Sequence, residues 1–216
     1  ANRLPPALAW SYRGRATPIT APPARPAHVV TVADTRPPAE LELAPLQSQS
    51  LPAIPGATHE ELRGAEATPA RVVGALAGAD AIEIHAHGFV DLGVSDASLI
   101  ALSPQADGRF TLGAREIAGL HLPRAPLVLL EACHAAYTAP YFHEPWGLPR
   151  AFLLAGARAV LASPDPISDA EAGGFFRAIE QRILAGVDPA IALRDERRTR
   201  LARNPTSWTR SVLLFD

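Results

Sequence analysis

The stretch PLVLLEAC (Pro126–Cys133) decides the fold class, because a run of apolar residues leads directly to a reactive one. A continuous apolar strand is typical of a sheet that other elements cover on both faces. The stretch AIEIHAHG (Ala81–Gly88) is organised in the same way, with an alternating strand over Ala81–His85 followed by His87 and Gly88. Each predicted strand therefore brings polar residues to its carboxyl end.

The remaining segments alternate between strand and helix patterns. Apolar or β-branched runs predict strands at His28–Ala33, Ser98–Leu102, Arg109–Leu112, Ala157–Ala162 and Ser211–Phe215, with a possible short strand near Leu41–Leu43. Helical spacing and capping residues predict helices from Thr68-Pro69, over Leu148–Ala155, from Ser168 with a capping box to Glu171, and from Asp188-Pro189. This alternation predicts an α/β domain whose mostly parallel sheet has helices on both faces.

The composition limits the domain count and excludes two classes of partner. The 216 residues suit one domain over residues 28–216, preceded by an arm or linker over residues 1–27 that holds six prolines. The chain contains no Met, which predicts that it is a piece of a longer protein. A net charge of -2 gives no field for direct nucleic-acid binding. The absence of an apolar run of about 18 residues predicts no membrane span.

The content of cysteine, histidine and lysine narrows the setting. A single cysteine excludes an internal disulfide framework and fits the reducing cytoplasm. One cysteine cannot build a structural zinc site, and His121, His134 and His143 follow no recognised ligand spacing, so no metal is predicted. All 20 basic residues are Arg, a usage typical of GC-rich bacterial genomes.

The residues at the two strand ends suit nucleophilic catalysis. Ligands of open α/β sheets bind beyond the carboxyl ends of the strands, where His87 and Cys133 are predicted to lie. His87 precedes Cys133 by 46 residues, close to the roughly 50 that separate His from Cys in caspases. A neighbouring imidazole can turn a weakly nucleophilic thiol into a thiolate. The alternative is that Cys133 is a small buried apolar residue and His87 an ordinary loop residue.

Several further motifs connect these strands to a known family. In chain order they are GAEATP (Gly64–Pro69), IHAHG (Ile84–Gly88), LEAC (Leu130–Cys133), GLPRAF (Gly147–Phe152) and AGARAV (Ala155–Val160). In order, spacing and flanking residues they resemble the CHAT domain, a caspase-like peptidase module often joined to helical repeat domains in bacteria. The resemblance covers roughly residues 28–216.

The resemblance implies a caspase-hemoglobinase fold and a catalytic dyad, with His87 and Cys133 at the two dyad positions. The backbone N–H groups of Gly88 and Cys133 could hold the oxyanion of the tetrahedral intermediate. Two stretches depart from the family pattern. After the nucleophile the family commonly has an acidic residue, Thr and Gly, where this chain has His134–Ala136. After the next strand the family often has Leu-Trp-Pro, where this chain has Ser163–Pro166. These departures predict an altered substrate groove beside an intact dyad.

The residues around the nucleophile suggest a substrate preference. Glu131 lies two residues before Cys133, so both side chains lean to the same face of the sheet. The motif also resembles metacaspases, which carry Asp at that position and select Arg or Lys before the scissile bond. We therefore expect Glu131 to hold a basic substrate residue, with Asp165 and Asp91 adding to the negative field. The alternative is an ion pair between Glu131 and an internal arginine such as Arg158.

These observations predict a cysteine endopeptidase that cuts a polypeptide, needs no cofactor, and is the effector domain of a larger regulated bacterial protein. The resemblance implies control by a regulatory or sensor domain, located N-terminal to this segment or on a partner protein. The alternative, from a different functional class, is an interaction module that keeps the caspase-like fold but has no turnover. The intact His and Cys pair favours the peptidase.

The last predicted helix carries a run of mixed charge. The run consists of Arg194, Asp195, Glu196, Arg197, Arg198 and Arg200. Interspersed charges of both signs predict a solvent-exposed helix face. The alternative is a docking face for another domain.

Overall fold

The computed structural model describes residues 5, 7–12, 27–47, 53–90, 98–137, 139–141 and 144–216. The strands within these ranges are β1 (His28–Ala33), β2 (Thr58–Arg63), β3 (Ala81–His85), β4 (His87–Val90), β5 (Ser98–Ala101), β6 (Thr111–Gly113), β7 (Leu127–Glu131), β8 (Ala139–Tyr141), β9 (Glu144–Trp146), β10 (Ala159–Ala162) and β11 (Leu213–Phe215). The helices are α1 (Pro69–Leu76), α2 (Ala114–Ala118), α3 (Leu148–Ala155), α4 (Asp169–Leu184) and α5 (Pro189–Arg203).

A central sheet carries the fold, with strand order β11-β10-β7-β3-β1-β2. The pairs β1–β2, β1–β3, β3–β7 and β7–β10 are parallel, and β11 pairs antiparallel with β10. Buried residues of α1, α2 and α3 pack on one face of this sheet, and those of α4 and α5 pack on the other. This architecture confirms the predicted mostly parallel sheet with helices on both faces. None of the described helices is both long and apolar enough to cross a lipid bilayer.

Two smaller sheets stand beyond the carboxyl end of the central one. The chain leaves β3 at His85 and enters β4 at His87, which begins an antiparallel sheet of order β4-β5-β6. The predicted hairpin from Ser98 to Leu112 is the β5–β6 pair of this sheet. Strands β8 and β9 form a separate two-stranded sheet. The chain bend after β3 therefore separates His85, in the central sheet, from His87, in the smaller one.

The face of the central sheet under α4 changes character along each strand. In β3 this face shows Ala81, then Glu83, then His85, and in β7 it passes from Leu129 to Glu131. The apolar residues at the amino ends pack against the aromatic side chains of α4. The polar residues gather at the carboxyl ends, which is the edge where α/β sheets bind ligands.

Strand β2 was not predicted, and the possible strand near Leu41–Leu43 was wrong. That stretch contains a short 3-10 turn over Ala39–Leu41. The sequence of β2, THEELR, buries only Leu62, because β2 lies at the sheet edge and pairs with β1 alone. Such a strand has too little apolar alternation to be recognised from its residues.

The helix starts were predicted correctly, but one of the predicted caps was wrong. The side chain of Asp188 accepts hydrogen bonds from Ala190 N (2.9 Å) and Ile191 N (3.1 Å), capping α5 as expected. Ser168 makes no side-chain cap before α4, and the carboxylate of Glu171 accepts instead from the indole N–H of Trp208 at 2.9 Å. A longer-range partner therefore replaces the local capping box.

The exposed helix face predicted for the charged run of α5 was wrong for Arg197. Its side chain is only 1 % exposed, its guanidinium donates to the carbonyl of Val212, and it lies over the ring of Trp10 at 5.6 Å. Burial lowers the pKa of Arg197 to about 10. Glu196 is buried as well and accepts from Arg200. The run therefore ties α5 to the chain end at β11.

Candidate active site

The main chains that follow β3 and β7 meet at Gly88. A Cβ atom on Gly88 would overlap the carbonyl oxygen of Cys133 and would lie 3.2 Å from the Cβ of Ala132. Any side chain at this position would therefore push the two strand ends apart. Glycine is required here for close approach of two backbones.

His87 is held by a main-chain carbonyl from another part of the chain. Its Nε2 lies 2.8 Å from the carbonyl oxygen of Ala44, in the connection between β1 and β2. A carbonyl oxygen can only accept, so Nε2 carries the hydrogen. In the neutral ring Nδ1 is then an acceptor with a lone pair, which is the form that a general base requires.

Cys133 is half-buried in a turn after β7, and it is the only thiol of the chain. Its Sγ accepts from the N–H of Ile167 at 3.5 Å, just before α4. The loop that follows β10 runs alongside: the ring of His134 hydrogen-bonds through Nδ1 to Pro164 O (3.1 Å), and Ala136 N donates to Ser163 O (2.9 Å). Two loops at the carboxyl end of the sheet therefore frame the sulfur.

Asp165 lies in this same loop, but its carboxylate has a structural partner. Oδ2 accepts from the hydroxyl of Ser211 at 2.6 Å, and the main-chain N–H of Asp165 donates to the hydroxyl of Ser163 at 3.1 Å. Its carbonyl oxygen accepts from the N–H of His134 at 3.5 Å. The loop thus brings Asp165 beside the nucleophile's neighbour, while the carboxylate is directed towards Ser211. Asp91, the other acidic residue expected here, lies outside the described residues.

Glu131 is almost fully buried under α4. It lines a cavity of about 20 Å³, together with Thr31, Ala33, Glu61, Arg63, Glu83, His85 and Arg177. Burial, and then the negative charge of Glu83, raise the pKa of Glu131 well above its usual range, and the positive charge of Arg177 opposes this. Arg177 donates to Glu83 at 2.7 Å.

The suggested pairing of Glu131 with Arg158 was wrong. Arg158 lies before the amino end of β10, near Asp80, whereas Glu131 ends the parallel neighbour β7. Residues at opposite ends of parallel strands cannot meet, so the internal arginine close to Glu131 is Arg177.

A second polar pair links the sheet to α4 and was missed from the sequence. Nε2 of His85 lies 2.6 Å from Oδ1 of Asp169, and Oδ2 of the same carboxylate accepts from the N–H of Gln47 at 2.6 Å. The only sequence signal was an acidic residue in the first turn of a predicted helix. The Gln47 contact had no signal, because it uses a main-chain N–H in an irregular connection. Among the described residues no three His, Cys, Asp or Glu side chains group in a way that would hold a metal ion.

Comparisons with known proteins agree on family and fold. The family model for the CHAT domain matches residues 15–215. The crystal structure of the Arg-specific cysteine proteinase gingipain R (RGPB) superposes with a TM-score of 0.56 at 11 % identity, covering 87 % of this chain and 45 % of that one. The complex of Porphyromonas gingivalis RgpB pro- and mature domains gives 0.55 at 14 % identity, covering 88 % and 46 %.

A third similar structure is more distant in size. The Saccharomyces cerevisiae separase–securin complex gives a TM-score of 0.54 at 13 % identity, covering 92 % of this chain and 12 % of that one. The chain therefore spans less than half the length of the gingipain chains and about an eighth of the separase chain. No curated protein matches the sequence. The family model covers nearly the whole chain, and the sheet and its strand-end loops agree with it: the chain belongs to the CHAT domain family and has the fold of the caspase-like cysteine proteases.

Proposed function

We propose that this chain is a cysteine endopeptidase domain, formed by residues 28–216 behind an arm of residues 1–27, with Cys133 as nucleophile and His87 as general base. The observation that carries the proposal is the contact between Gly88 and the main chain of Cys133. This contact brings the residue after His87 against the nucleophile itself. A nucleophile and a base must be neighbours, with the base oriented by a third group, for a thiol to be activated.

The orientation of His87 supports its role as base. Because Ala44 O accepts the Nε2 hydrogen, the lone pair on Nδ1 can take the proton of the Cys133 thiol. The resulting thiolate attacks the carbonyl carbon of the scissile bond, and the imidazolium stays hydrogen-bonded to Ala44. The carbonyl thus fills the place that a carboxylate has in other triads.

The rest of the reaction uses main-chain groups at the same place. The N–H groups of Gly88 and Cys133 stabilise the oxyanion of the tetrahedral intermediate. His87 then gives its proton to the leaving amine, and the acyl group remains on the sulfur as a thioester. Water, deprotonated by His87, attacks the thioester, releases the acid product and restores the thiol.

The proposed setting is an effector domain of a larger regulated bacterial protein, acting in the cytoplasm on a polypeptide. Two similar structures show a proteinase with its pro-domain and separase with securin. Control by another polypeptide therefore occurs in proteins of this fold, which supports a regulatory domain or partner for this chain.

Covalent labelling tests the peptidase against the silent interaction module. A peptidyl ketone electrophile should form one adduct with the parent, and Cys133→Ala should form none and should cleave no protein. His87→Ala should be labelled about 10²- to 10⁴-fold more slowly, the usual contribution of a general base. Iodoacetamide on urea-unfolded protein serves as a control for the thiol. Cleavage by Cys133→Ala, or equal labelling of His87→Ala and parent, would contradict the proposal.

We further propose that the peptidase prefers a basic residue before the scissile bond, through Glu131. The cavity beneath the strand ends is lined by the carboxyl groups of Glu61, Glu83 and Glu131 and by two arginines, Arg63 and Arg177. The acidic excess favours a cation, and Asp165 and Asp91 would add to the same field. The volume of about 20 Å³ suits one water, so the exposed side chains of Glu61 and Arg63 must move when a substrate enters.

A peptide library read with Glu131→Gln beside the parent tests this specificity. The parent should cut after Arg, and the variant should lose that preference, because the amide cannot form a charge-assisted pair with a guanidinium. Since the pKa of Glu131 is raised, the preference of the parent should strengthen as pH rises and the carboxyl loses its proton. Glu60→Gln, on the exposed side of β2, is the matched control. A parent that cuts after Asp, or a Glu131→Gln enzyme with unchanged selection of Arg, would show that Glu131 does not set specificity.

A further inference from the structure

A short chain segment connects the proposed base to the start of α4. Ala44 accepts from His87 Nε2 at 2.8 Å, and three residues later Gln47 donates its main-chain N–H to Asp169 Oδ2 at 2.6 Å. Three extended residues span roughly 10 Å, so this segment bridges two sides of the sheet's carboxyl end. We call residues 44–47 the bridging segment.

The bridging segment has no regular secondary structure to hold it. It belongs to the connection between β1 and β2, in which the only helical element described is the 3-10 turn Ala39–Leu41. Ala44, Pro45 and Gln47 are exposed, and Leu46 is half-buried. A carbonyl that orients a catalytic ring has to be positioned to within a fraction of an ångström, so this segment requires an anchor from outside itself.

Asp169 has the properties of that anchor. One carboxylate oxygen binds Gln47, and the other lies 2.6 Å from Nε2 of His85, which is only 3 % exposed and stands in the central sheet opposite Glu131. The carboxylate is therefore fixed against the core on one side and holds the segment on the other. Pro45 has a fixed φ, which stiffens the segment so that a shift of Gln47 is passed on to Ala44.

We infer that Asp169 is a positioning residue for the dyad: through Gln47 it fixes the carbonyl of Ala44, and through that carbonyl it fixes the ring and the tautomer of His87. The inference rests on the proposed function, because it assigns Asp169 to the base of that same site. Without the anchor the Ala44 carbonyl can leave Nε2. His87 can then rotate, and its hydrogen can move to Nδ1, where the ring no longer accepts the thiol proton.

Asp169→Asn is the sharpest variant, because it keeps the size of the side chain. An amide has one oxygen, so it can accept from His85 or from Gln47 but not from both. We expect kcat to fall about 10- to 100-fold, the range of a 1 Å misplacement, with KM within about twofold of the parent. Glu171→Gln, one helical position further along α4, removes an acidic residue that binds Trp208 instead and should leave kcat unchanged.

Two readouts separate positioning from a merely structural role. The imidazole nitrogen shifts of His87, assigned by their loss in His87→Ala, report which ring nitrogen carries hydrogen in the folded protein. The parent should show hydrogen on Nε2, and Asp169→Asn should show a mixture of both tautomers. Iodoacetamide alkylation of the single thiol should slow in Asp169→Asn at neutral pH, in parallel with kcat.

The outcomes for the two proposals are distinct. If His87→Ala alkylates at the parental rate, the dyad itself is wrong. If His87→Ala slows alkylation while Asp169→Asn keeps the parental tautomer and rate, the dyad stands and the role of Asp169 is overturned.

Discussion

At the scale of single residues, the tightest constraint in the candidate site belongs to its smallest residue. Gly88 has no room for a methyl group because the carbonyl of Cys133 occupies that space. Gly74, in the middle of α1, has no atom within 4 Å of the position its Cβ would take. Two glycines in one domain thus make opposite demands on the same substitution.

Gly88→Ala should lower both stability and labelling of Cys133. Overpacking of this kind typically costs about 1–3 kcal/mol, and the displaced carbonyl shifts the nucleophile. Gly74→Ala should raise the free energy of unfolding by up to about 1 kcal/mol, because alanine has the higher helix propensity. Urea unfolding of both variants, with peptidyl ketone labelling, checks the pair. Parental labelling by Gly88→Ala would mean that the two strand ends are not in contact.

The chain's reactive residues could be predicted from the sequence, and their partners could not. His87 and Cys133 follow apolar strands, so pattern alone puts them at one edge of a sheet. Ala44 and Gln47 act through their main chain, which every residue type except proline offers in full. No side-chain pattern marks such a contact, and only the path of the β1–β2 connection reveals it.

At the scale of elements, α4 buries charge as well as aromatic rings. Its inner face holds Phe175 and Phe176 against the apolar half of the sheet, and Arg177 and Glu180 against the polar half. Burial, and then the charge of Glu83, raise the pKa of Glu180 well above its usual range. The folded protein therefore keeps a proton that the unfolded chain loses at lower pH.

This proton makes stability depend on pH in a defined direction. Above the usual Glu range the folded state binds more protons than the unfolded one, so the free energy of unfolding should fall as pH rises through the raised pKa of Glu180. One such proton gives a slope of up to about 1.4 kcal/mol per pH unit. Glu180→Gln should flatten that slope, whereas the exposed Glu66→Gln should not. Urea unfolding from pH 5 to 9 measures it, and an unchanged slope in Glu180→Gln would contradict the assignment.

The elements themselves were predictable to the extent that they are buried. Strand β1 and helix α3 have the predicted bounds, because each packs apolar residues at the period of its structure. Strand β2 lies at an edge, and its side chains are mostly exposed and polar. Its pairing with β1 is a main-chain property. The capping box of α4 failed for a related reason, since Trp208 is distant in sequence but close in space.

At the scale of the whole molecule, residues near both chain ends meet at β11. Tyr12 N donates to Leu214 O at 2.7 Å, Asp216 N donates to Tyr12 O at 3.1 Å, and the ring of Tyr12 stacks on Phe215 at 5.5 Å. Trp10 adds its contact with Arg197. This early stretch covers an edge strand whose backbone groups would otherwise be open to pairing.

Deletion of residues 1–12 should therefore do two things. The melting temperature should fall, because the hydrogen bonds and the Trp10 and Tyr12 contacts are lost. The protein should also associate as its concentration rises, because the β11 edge can then pair with another copy. Calorimetry and light scattering after size exclusion check both effects. Leu8→Ala, at a side chain that is 52 % exposed, is the control. A shortened chain that melts like the parent and stays monomeric would overturn this role.

The parallel pairing of Tyr12 with Phe215 also has a mechanical consequence. In parallel neighbours the preceding residues of one strand and the following residues of the other leave in opposite directions along the strand axis. Tension between Ser11 and Asp216 would therefore shear the contacts there together, including the 3.0 Å bond from the Ser11 hydroxyl to the Asp216 carboxylate, rather than peel them apart in turn. Pulled from its two sides in a longer chain, the domain would resist at this corner first, and the strand ends that hold Cys133 and His87 would be the last to feel the force.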